Sequence, residues 1–261
     1  MSNVNPDIPV EPSKLFDYPL IIPTEKWVRL YIDGLKIADS TKPLLLIDAS
    51  PYSKTGRAII YFFDAASVET KYLTDSDYTG KQGMFRYWNI KISSNKEIEN
   101  AAFTFNDTVN GEYRKLIGYI GFKWKAISRI TEEDEDIFGH PRNPFHRIDT
   151  RKTSRQIQFK IDDEVIAETT KSIALFETGI RVRYYIPMED INMELLEKSS
   201  TTSICPYKGT ASYWSVKLDD HIYKDVAWSY LNPLQDANSI ERYICFWKIA
   251  LYVDGVYKGK Y

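Results

Sequence analysis

The sequence predicts a mainly β protein in which one small antiparallel domain occurs twice in tandem. Three observations predict this: an internal repeat, a high content of large aromatic residues, and many short β-branched or aromatic segments bounded by turn residues. Aromatic residues make up 14% of the 261 residues, with 19 Tyr and 6 Trp, and such side chains favour strands over helices. Helical spacing is confined to short stretches at 188–196 and 234–243, so strands and turns are the expected elements.

The internal repeat consists of four pairs of similar segments that occur in the same order. The pairs are residues 32–42 with 161–171, 87–92 with 213–218, 102–105 with 227–230, and 119–122 with 243–246. The spacing changes only slightly along the chain, as expected for a duplication followed by small loop deletions. We therefore expect an N-terminal extension at 1–25, a first β domain at 26–131, a linker at 132–152 and a second β domain at 153–261.

The expected linker has two parts. The acidic run 132–136 is typical of a solvated surface, whereas residues 138–147 hold two Phe, two His and two Arg between prolines. That aromatic content is unusual for a freely moving linker, so we expect four of its residues to be substantially buried: Phe138, Pro141, Pro144 and Phe145. His140 or Arg142 is then expected to approach a pocket in the second domain.

Composition and charge exclude several classes of function. Hydrophobic residues make up 43% and charged residues 27% of the chain, a balance typical of a folded globular protein. The net charge of −2 gives no attraction for nucleic-acid phosphates. We see neither a leader peptide nor the roughly 18 consecutive apolar residues that a membrane helix needs, and we expect a cytoplasmic protein without membrane or nucleic-acid partners. Cys205 and Cys245 are then expected to be free thiols.

The segment Cys205-Pro206-Tyr207-Lys208-Gly209 is the strongest candidate for chemistry. Proline favours the second position of a β-turn, which would place Cys205 and Lys208 at its two corners, less than about 7 Å apart between Cα atoms. A cation beside a partly exposed thiol favours the nucleophilic thiolate. In the alternative interpretation, Cys205 is a small buried hydrophobe and Lys208 a surface residue.

The first copy retains the turn but not the reactive pair. Thr79 occupies the position of Cys205, Gln82 that of Lys208, and Gly83 that of Gly209. Loss of a function in the first copy and ordinary divergence both explain this difference. We expect the equivalent pocket of the first domain to be filled or blunted.

Other catalytic and metal-binding patterns are missing from the sequence. The two cysteines and the three histidines lack zinc-ligand spacing, and we expect no metal and no cofactor. A Gly-rich phosphate loop and a Ser-His-Asp triad are also not indicated, because His221 lies in a sequence typical of a hairpin turn.

Three segments of the second half resemble the family catalogued as domain of unknown function 427. They are Arg183-Tyr184-Tyr185-Ile186-Pro187 with Asp190, residues 205–214 from Cys205 to Trp214, and Ala227-Trp228-Ser229-Tyr230 with Pro233. The resemblance extends over about residues 155–255, and residues 132–149 resemble the linker of two-domain members. It implies a small β-tent fold without zinc. The chain departs from the family where Glu241-Arg242 replaces a usual pair of small residues.

From these observations, our main functional hypothesis is that the second domain has a small-molecule site. As catalytic residues we select Cys205 and Lys208, and the ligand-binding candidates are Arg183, Tyr184, Tyr207, Tyr213, Trp228, His140 and Arg142. In an enzyme, Cys205 would act as nucleophile or acid/base while Lys208 activates it or binds an anion. Lys208→Ala should then weaken ligand binding and leave folding almost intact.

Two alternatives remain open from the sequence. In a non-catalytic binding module, the aromatic side chains would form a cage and Lys208 or Arg183 would bind a carboxylate. Alternatively, both domains would serve only as an interaction scaffold. The sequence does not define the ligand, the reaction or the oligomeric state.

Overall fold

The computed structural model describes residues 19–48, 58–80 and 83–260. Its elements are antiparallel strands and short 3-10 helices. The described chain divides into two compact units, one up to Asn143 and one from Pro144 onward, which we call the N-terminal and C-terminal domains. The helical stretches expected from the sequence are 3-10 turns at Met188–Asp190, Met193–Leu195 and Gln235–Ile240.

The N-terminal domain consists of a seven-stranded and a four-stranded antiparallel sheet. In spatial order, the larger sheet contains β1 (Leu20–Pro23), β4 (Leu44–Asp48), β5 (Ala58–Asp64), β9 (Tyr119–Phe122), β8 (Lys96–Phe105), β7 (Phe85–Ser93) and β6 (Leu73–Asp75). The smaller sheet contains β11 (Glu135–Asp136), β10 (Arg129–Glu132), β2 (Val28–Ile32) and β3 (Leu35–Ser40).

The C-terminal domain also consists of a seven-stranded and a four-stranded sheet. The larger sheet contains β12 (Ile148–Lys152), β15 (Ile173–Glu177), β16 (Arg183–Ile186), β20 (Ile244–Phe246), β19 (His221–Tyr230), β18 (Gly209–Leu218) and β17 (Leu196–Cys205). The smaller sheet contains β14 (Glu164–Thr169), β13 (Ile157–Ile161), β21 (Ala250–Val253) and β22 (Val256–Lys260).

The two domains have the same strand topology, which confirms the tandem duplication predicted from the sequence. Each strand of the first large sheet has a counterpart at the same place in the second, and the small sheets correspond when one is read in reverse order. The register is also shared: Phe62 pairs with Gly121 in the N-terminal domain, and Tyr185 pairs with Cys245 at the same place in the C-terminal domain. Equivalent residues can therefore be identified from the pairing.

The strands extend beyond the domain boundaries drawn from the repeat. Residues 20–23, placed in the N-terminal extension, form β1 and pair with β4. Residues 135–136 and 148–152, placed in the linker, form β11 and β12. The remainder of the expected extension, residues 1–18, lies outside the described residues.

The expected burial of the linker aromatics is wrong. Phe138 and Phe145 are 58% and 45% exposed, and Pro144 is also exposed, whereas Pro141 is buried. Backbone hydrogen bonds hold this segment instead. The Ile137 amide donates to the Ile130 carbonyl in one domain, and the Thr178 amide donates to the Arg147 carbonyl in the other.

Each domain has apolar residues on both faces of its large sheet. In the C-terminal domain one face packs on the small sheet and forms a core around Phe159, Ile186 and Phe246. The opposite face carries a second cluster that includes Leu175, Tyr185, Tyr230 and Cys245, and it is this face that positions the candidate site. None of the helices in the described ranges has the length and apolar character needed to cross a membrane.

Candidate functional site

The segment 205–209 forms the hairpin turn that joins β17 to β18. Cys205 pairs with Gly209, and the Lys208 amide donates to the Cys205 carbonyl at 3.3 Å, as expected for a β-turn with Pro206 at its second position. Gly209 has a φ of +99°, and a Cβ there would lie 3.3 Å from the Asn232 carbonyl oxygen. The turn predicted from the sequence is therefore present, and the positive φ favours glycine at the residue that follows it.

A cavity of about 290 Å³ lies on the outer face of the large sheet of the C-terminal domain. The residues that line it are Glu177, Ile180, Arg183, Tyr185, Cys205, Lys208, Tyr213, Trp228, Tyr230 and Trp247. We call it the C-terminal cavity. Five of the residues selected from the sequence meet in it: Arg183, Cys205, Lys208, Tyr213 and Trp228.

Strand alternation explains which aromatic residues reach the cavity. Trp228 and Tyr230 point into it. Ala227, which precedes Trp228 on the same strand, points to the opposite face and belongs to the inner core. Tyr184 was selected as a ligand-binding residue, but the structure places it in the inner core. Adjacent residues of a strand point to opposite faces, and of this pair Arg183 lines the C-terminal cavity whereas Tyr184 does not.

A buried ion pair forms part of the cavity wall. The Lys208 ammonium donates a hydrogen bond to the Glu177 carboxylate, and the two side chains are only 10% and 8% exposed. A single buried charge would be strongly disfavoured, whereas a paired and hydrogen-bonded one is tolerated. The charge of Lys208 is therefore balanced by Glu177, a role that the sequence did not indicate.

His146 is the second partner of Glu177. Its Nε2 atom lies 3.0 Å from Glu177 Oε1, and its ring packs on Tyr207 with 4.2 Å between ring centroids. Tyr207, selected as a ligand-binding residue, is buried and lies against His146; it is not among the residues that line the cavity. Tyr207 thus supports the network His146-Glu177-Lys208 from behind the cavity wall.

The network keeps Glu177 ionised. Burial alone would raise the pKa of Glu177, but the hydrogen bond with His146 and the charge and hydrogen bond of Lys208 outweigh burial and lower this pKa below its ordinary value of 4.5. The C-terminal cavity therefore has a fixed negative charge and a fixed positive charge side by side on its wall.

Arg183 adds a further positive charge beside an aromatic cluster. Its guanidinium lies 5.7 Å from the centre of the Trp228 ring. The Trp228 ring contacts those of Tyr213 and Trp247, at 6.5 and 6.1 Å between centroids, and its Nε1 donates to the Tyr185 hydroxyl at 3.2 Å. Trp228 is held in place from several sides, as a rigid wall of a binding site requires.

The two cysteines differ in environment. Both are free thiols, as expected from the sequence. Cys205 is half-buried and lines the cavity, whereas complete burial raises the pKa of the Cys245 thiol to about 12. Of the two, Cys205 is the thiol that a ligand or reagent in the cavity can meet.

His140 and Arg142 belong to the N-terminal domain. His140 lines a cavity of that domain, and its Nδ1 atom lies 2.7 Å from the Pro141 carbonyl oxygen. Arg142 is half-buried and is not among the described residues that line either cavity. His140 likewise is not among the described residues that line the C-terminal cavity.

The N-terminal domain has a cavity of its own, of about 450 Å³. We expected this pocket to be filled or blunted. It is not filled, but its lining is different: Ile60 replaces Arg183, Phe103 replaces Trp228 and Phe105 replaces Tyr230. Thr79 stands in place of Cys205. Gln82, at the position of Lys208, lies outside the described residues.

The most important residues missed from the sequence are Glu177 and His146. Glu177 contacts Lys208, and His146 contacts Glu177. In each pair the two residues are 31 positions apart in the sequence. The repeat did contain a signal for Glu177: if the first repeat pair is extended beyond Lys42 and Lys171, Asp48 aligns with Glu177. An acid retained at the end of the same strand in both copies marks a position with a specific role.

Of the comparisons with known proteins, the one with curated proteins found no match. The comparison with family models agrees with the duplicated fold. The family model described as Domain of unknown function (DUF427) matches residues 20–133 and 149–259, one match for each domain of the structure. These two regions make up most of the chain, which therefore belongs to the family described as domain of unknown function DUF427, with two copies of its domain.

Proposed function

We propose that the C-terminal domain binds a small aromatic carboxylate in the C-terminal cavity. The observation that carries this proposal is the convergence of Arg183, Trp228 and the buried Lys208–Glu177 pair on one cavity. Concave sites with aromatic walls and a few placed charges are typical of small-molecule binding.

The tandem copy supports a functional origin for these charges. The same sheet in the N-terminal domain folds with Ile60 in place of Arg183 and Phe105 in place of Tyr230. The fold therefore does not need polar groups at these positions. A role in binding explains why the C-terminal domain has Arg183 and Tyr230 at these positions.

The charges and the volume indicate the class of ligand. Glu177 balances Lys208, and Arg183 adds a guanidinium group to the cavity wall. Guanidinium groups bind carboxylates well. Trp228 and Tyr213 offer aromatic surface next to Arg183. The volume of about 290 Å³ is at the lower end of ligand sites, which favours a molecule with one ring.

A thermal-shift comparison of three probes tests whether the ligand is a small aromatic carboxylate. Benzoate carries both the ring and the carboxylate, benzyl alcohol has the ring without the charge, and acetate has the charge without the ring. Binding to the folded state raises the unfolding temperature. We expect benzoate at millimolar concentration to raise it and the other two probes to have little effect.

The variant Arg183→Ile separates binding in the cavity from a general effect of the probe. It installs the residue that the N-terminal domain has at the equivalent position, so the fold is expected to accept it. Lys217→Ala, at an exposed position of β18, is the matched control. An equal benzoate shift in Arg183→Ile and in the wild type would contradict the proposal.

A cysteine-dependent reaction is the second candidate function. Its support is the half-buried Cys205 thiol in the same cavity as Lys208 and Arg183. In this candidate, Cys205 attacks a bound ligand while Tyr213 and Trp228 limit the access of water.

Alkylation of Cys205 by iodoacetamide as a function of pH tests the second candidate. An activated Cys205 reacts near neutral pH faster than a small model thiol, because thiolate is the reactive form. If Cys205 reacts no faster than the model thiol over the whole range, it is not an activated nucleophile and the binding module is the better account.

A further inference from the structure

The N-terminal domain contains a second cavity that the proposed function does not use. It has a volume of about 450 Å³, and its walls include the apolar side chains of Leu46, Ile60, Phe103 and Phe105. This is roughly three times the ~150 Å³ of a dry cavity that accepts one benzene molecule. The space is sufficient for an alkyl chain of medium length.

The positive charge of this cavity is at its exposed edge. Lys123 and Lys125 line the cavity and are exposed. The Lys123 ammonium lies over the rings of Tyr87 and Tyr78, 5.0 and 5.3 Å from their centres, and Tyr87 is itself part of the cavity wall. These cation-π contacts hold the ammonium beside the cavity.

The cation and the apolar side chain occupy interchanged positions in the cavities of the two domains. Lys123 in the N-terminal domain corresponds to Trp247 in the C-terminal domain, because their amides donate to the equivalent carbonyls of Ala101 and Val226. Conversely, Ile60 corresponds to Arg183. In the C-terminal cavity an arginine projects from the sheet, whereas in the N-terminal cavity Ile60 occupies that position and the lysines are at the edge.

We propose that the N-terminal cavity binds a medium-chain fatty acid, with the alkyl chain among Leu46, Ile60 and Phe105 and the carboxylate at Lys123 and Lys125. The apolar interior matches an alkyl chain, and the exposed lysines match a single anionic headgroup. A carboxylate, Asp48, also lines the cavity, where it is buried and accepts a hydrogen bond from the Tyr113 hydroxyl at 2.9 Å.

Titration calorimetry of decanoate into the full chain tests this proposal. We expect saturable binding at one site, with Lys123→Gln weakening the affinity about 10-fold, as loss of one charge-assisted contact does. Lys96→Gln is the matched control, since Lys96 is exposed, pairs with Asp33 and does not line the cavity. Decyltrimethylammonium, which has the chain with the opposite charge, is expected not to bind at this site.

A cavity-filling variant, Ile60→Phe, gives a second measure of the same site. It is expected to weaken decanoate binding at least as much as Lys123→Gln, and circular dichroism checks that it folds. If Ile60→Phe does not fold, the comparison of Lys123→Gln with Lys96→Gln still tests the proposal. Absence of decanoate binding, or equal affinity in these two lysine variants, overturns the proposal.

The test is independent of the proposed function of the C-terminal domain. Arg183→Ile should leave decanoate binding unchanged, because Arg183 lines the other cavity. If Arg183→Ile abolishes decanoate binding, the fatty acid binds in the C-terminal cavity and the proposal for the N-terminal cavity is wrong.

Discussion

The Lys208 ammonium donates a hydrogen bond to the Glu177 carboxylate, and both side chains are almost fully buried. The pair joins the hairpin turn between β17 and β18 to the end of β15, while His146 binds the same carboxylate from the start of the domain. The turn, the sheet and the entering chain thus meet at Glu177.

The first prediction concerns the stability of the ion pair. Lys208→Ala leaves Glu177 buried with only His146 as a partner, and we expect a loss of about 2–3 kcal/mol in the free energy of unfolding. This differs from the expectation from sequence that Lys208→Ala leaves folding intact. The double variant Glu177→Leu/Lys208→Met removes both charges and should recover most of the loss. Urea unfolding measures both, and a double variant as unstable as the single one would contradict the prediction.

The second prediction concerns acid sensitivity. The pKa of Glu177 is lower in the folded protein than its ordinary value of 4.5, so the unfolded state binds a proton more readily. The stabilisation from Glu177 is therefore complete above about pH 4.5 and is lost as the pH falls through the folded-state pKa. Urea midpoints between pH 6 and pH 3 should fall less steeply for Glu177→Gln than for the wild type. Glu189→Gln, at an exposed position, should retain the wild-type slope.

The third prediction concerns the reactivity of the two thiols. Burial raises the pKa of Cys245 to about 12, whereas Cys205 is half-buried in the wall of the cavity. Iodoacetamide at pH 8 should therefore label Cys205 in the native protein and label Cys245 only after unfolding. Peptide mapping by mass spectrometry identifies the labelled residue, and labelling of native Cys245 at the rate of Cys205 would be inconsistent with the structure.

Sequence reasoning was most successful where the information is local or repeated. The duplication and the 205–209 turn follow from repeat spacing and turn chemistry. His146 and Glu177 were missed because their contacts depend on how distant strands pair. Tyr184 was misplaced because its neighbour Arg183 was assigned to the same cavity.

The cavity of the N-terminal domain shows another limit of sequence reasoning. Thr79 at the position of Cys205 and Gln82 at that of Lys208 suggested a filled or blunted pocket, but the volume of a cavity depends on how the sheet and its connections curve around it. The structure keeps about 450 Å³ there. Loss of polar residues therefore indicated a change of lining and not a loss of space.

The fourth prediction concerns the backbone of the hairpin turn. Gly209 and Gly259 both have a φ of +99°, but a Cβ at Gly209 would lie 3.3 Å from the Asn232 carbonyl, whereas nothing is within 4 Å at Gly259. Each Gly→Ala change introduces backbone strain of about 1–2 kcal/mol. Gly209→Ala should lower the free energy of unfolding, measured in urea, more than Gly259→Ala does. It should also shift Cys205 and Lys208. Equal losses would show that the contact with Asn232 is unimportant.

A calorimetric titration of benzoate into the full chain and its Arg183→Ile variant tests most directly whether the C-terminal cavity binds aromatic carboxylates. We expect one benzoate per chain, with an affinity about 10-fold or more weaker in Arg183→Ile, because a charge-assisted contact to the carboxylate is lost. The control Lys217→Ala should bind as the wild type does. Benzoate binding that is undetectable in the wild type, or equally strong in Arg183→Ile, would contradict the assignment of the C-terminal cavity as a site for small aromatic carboxylates.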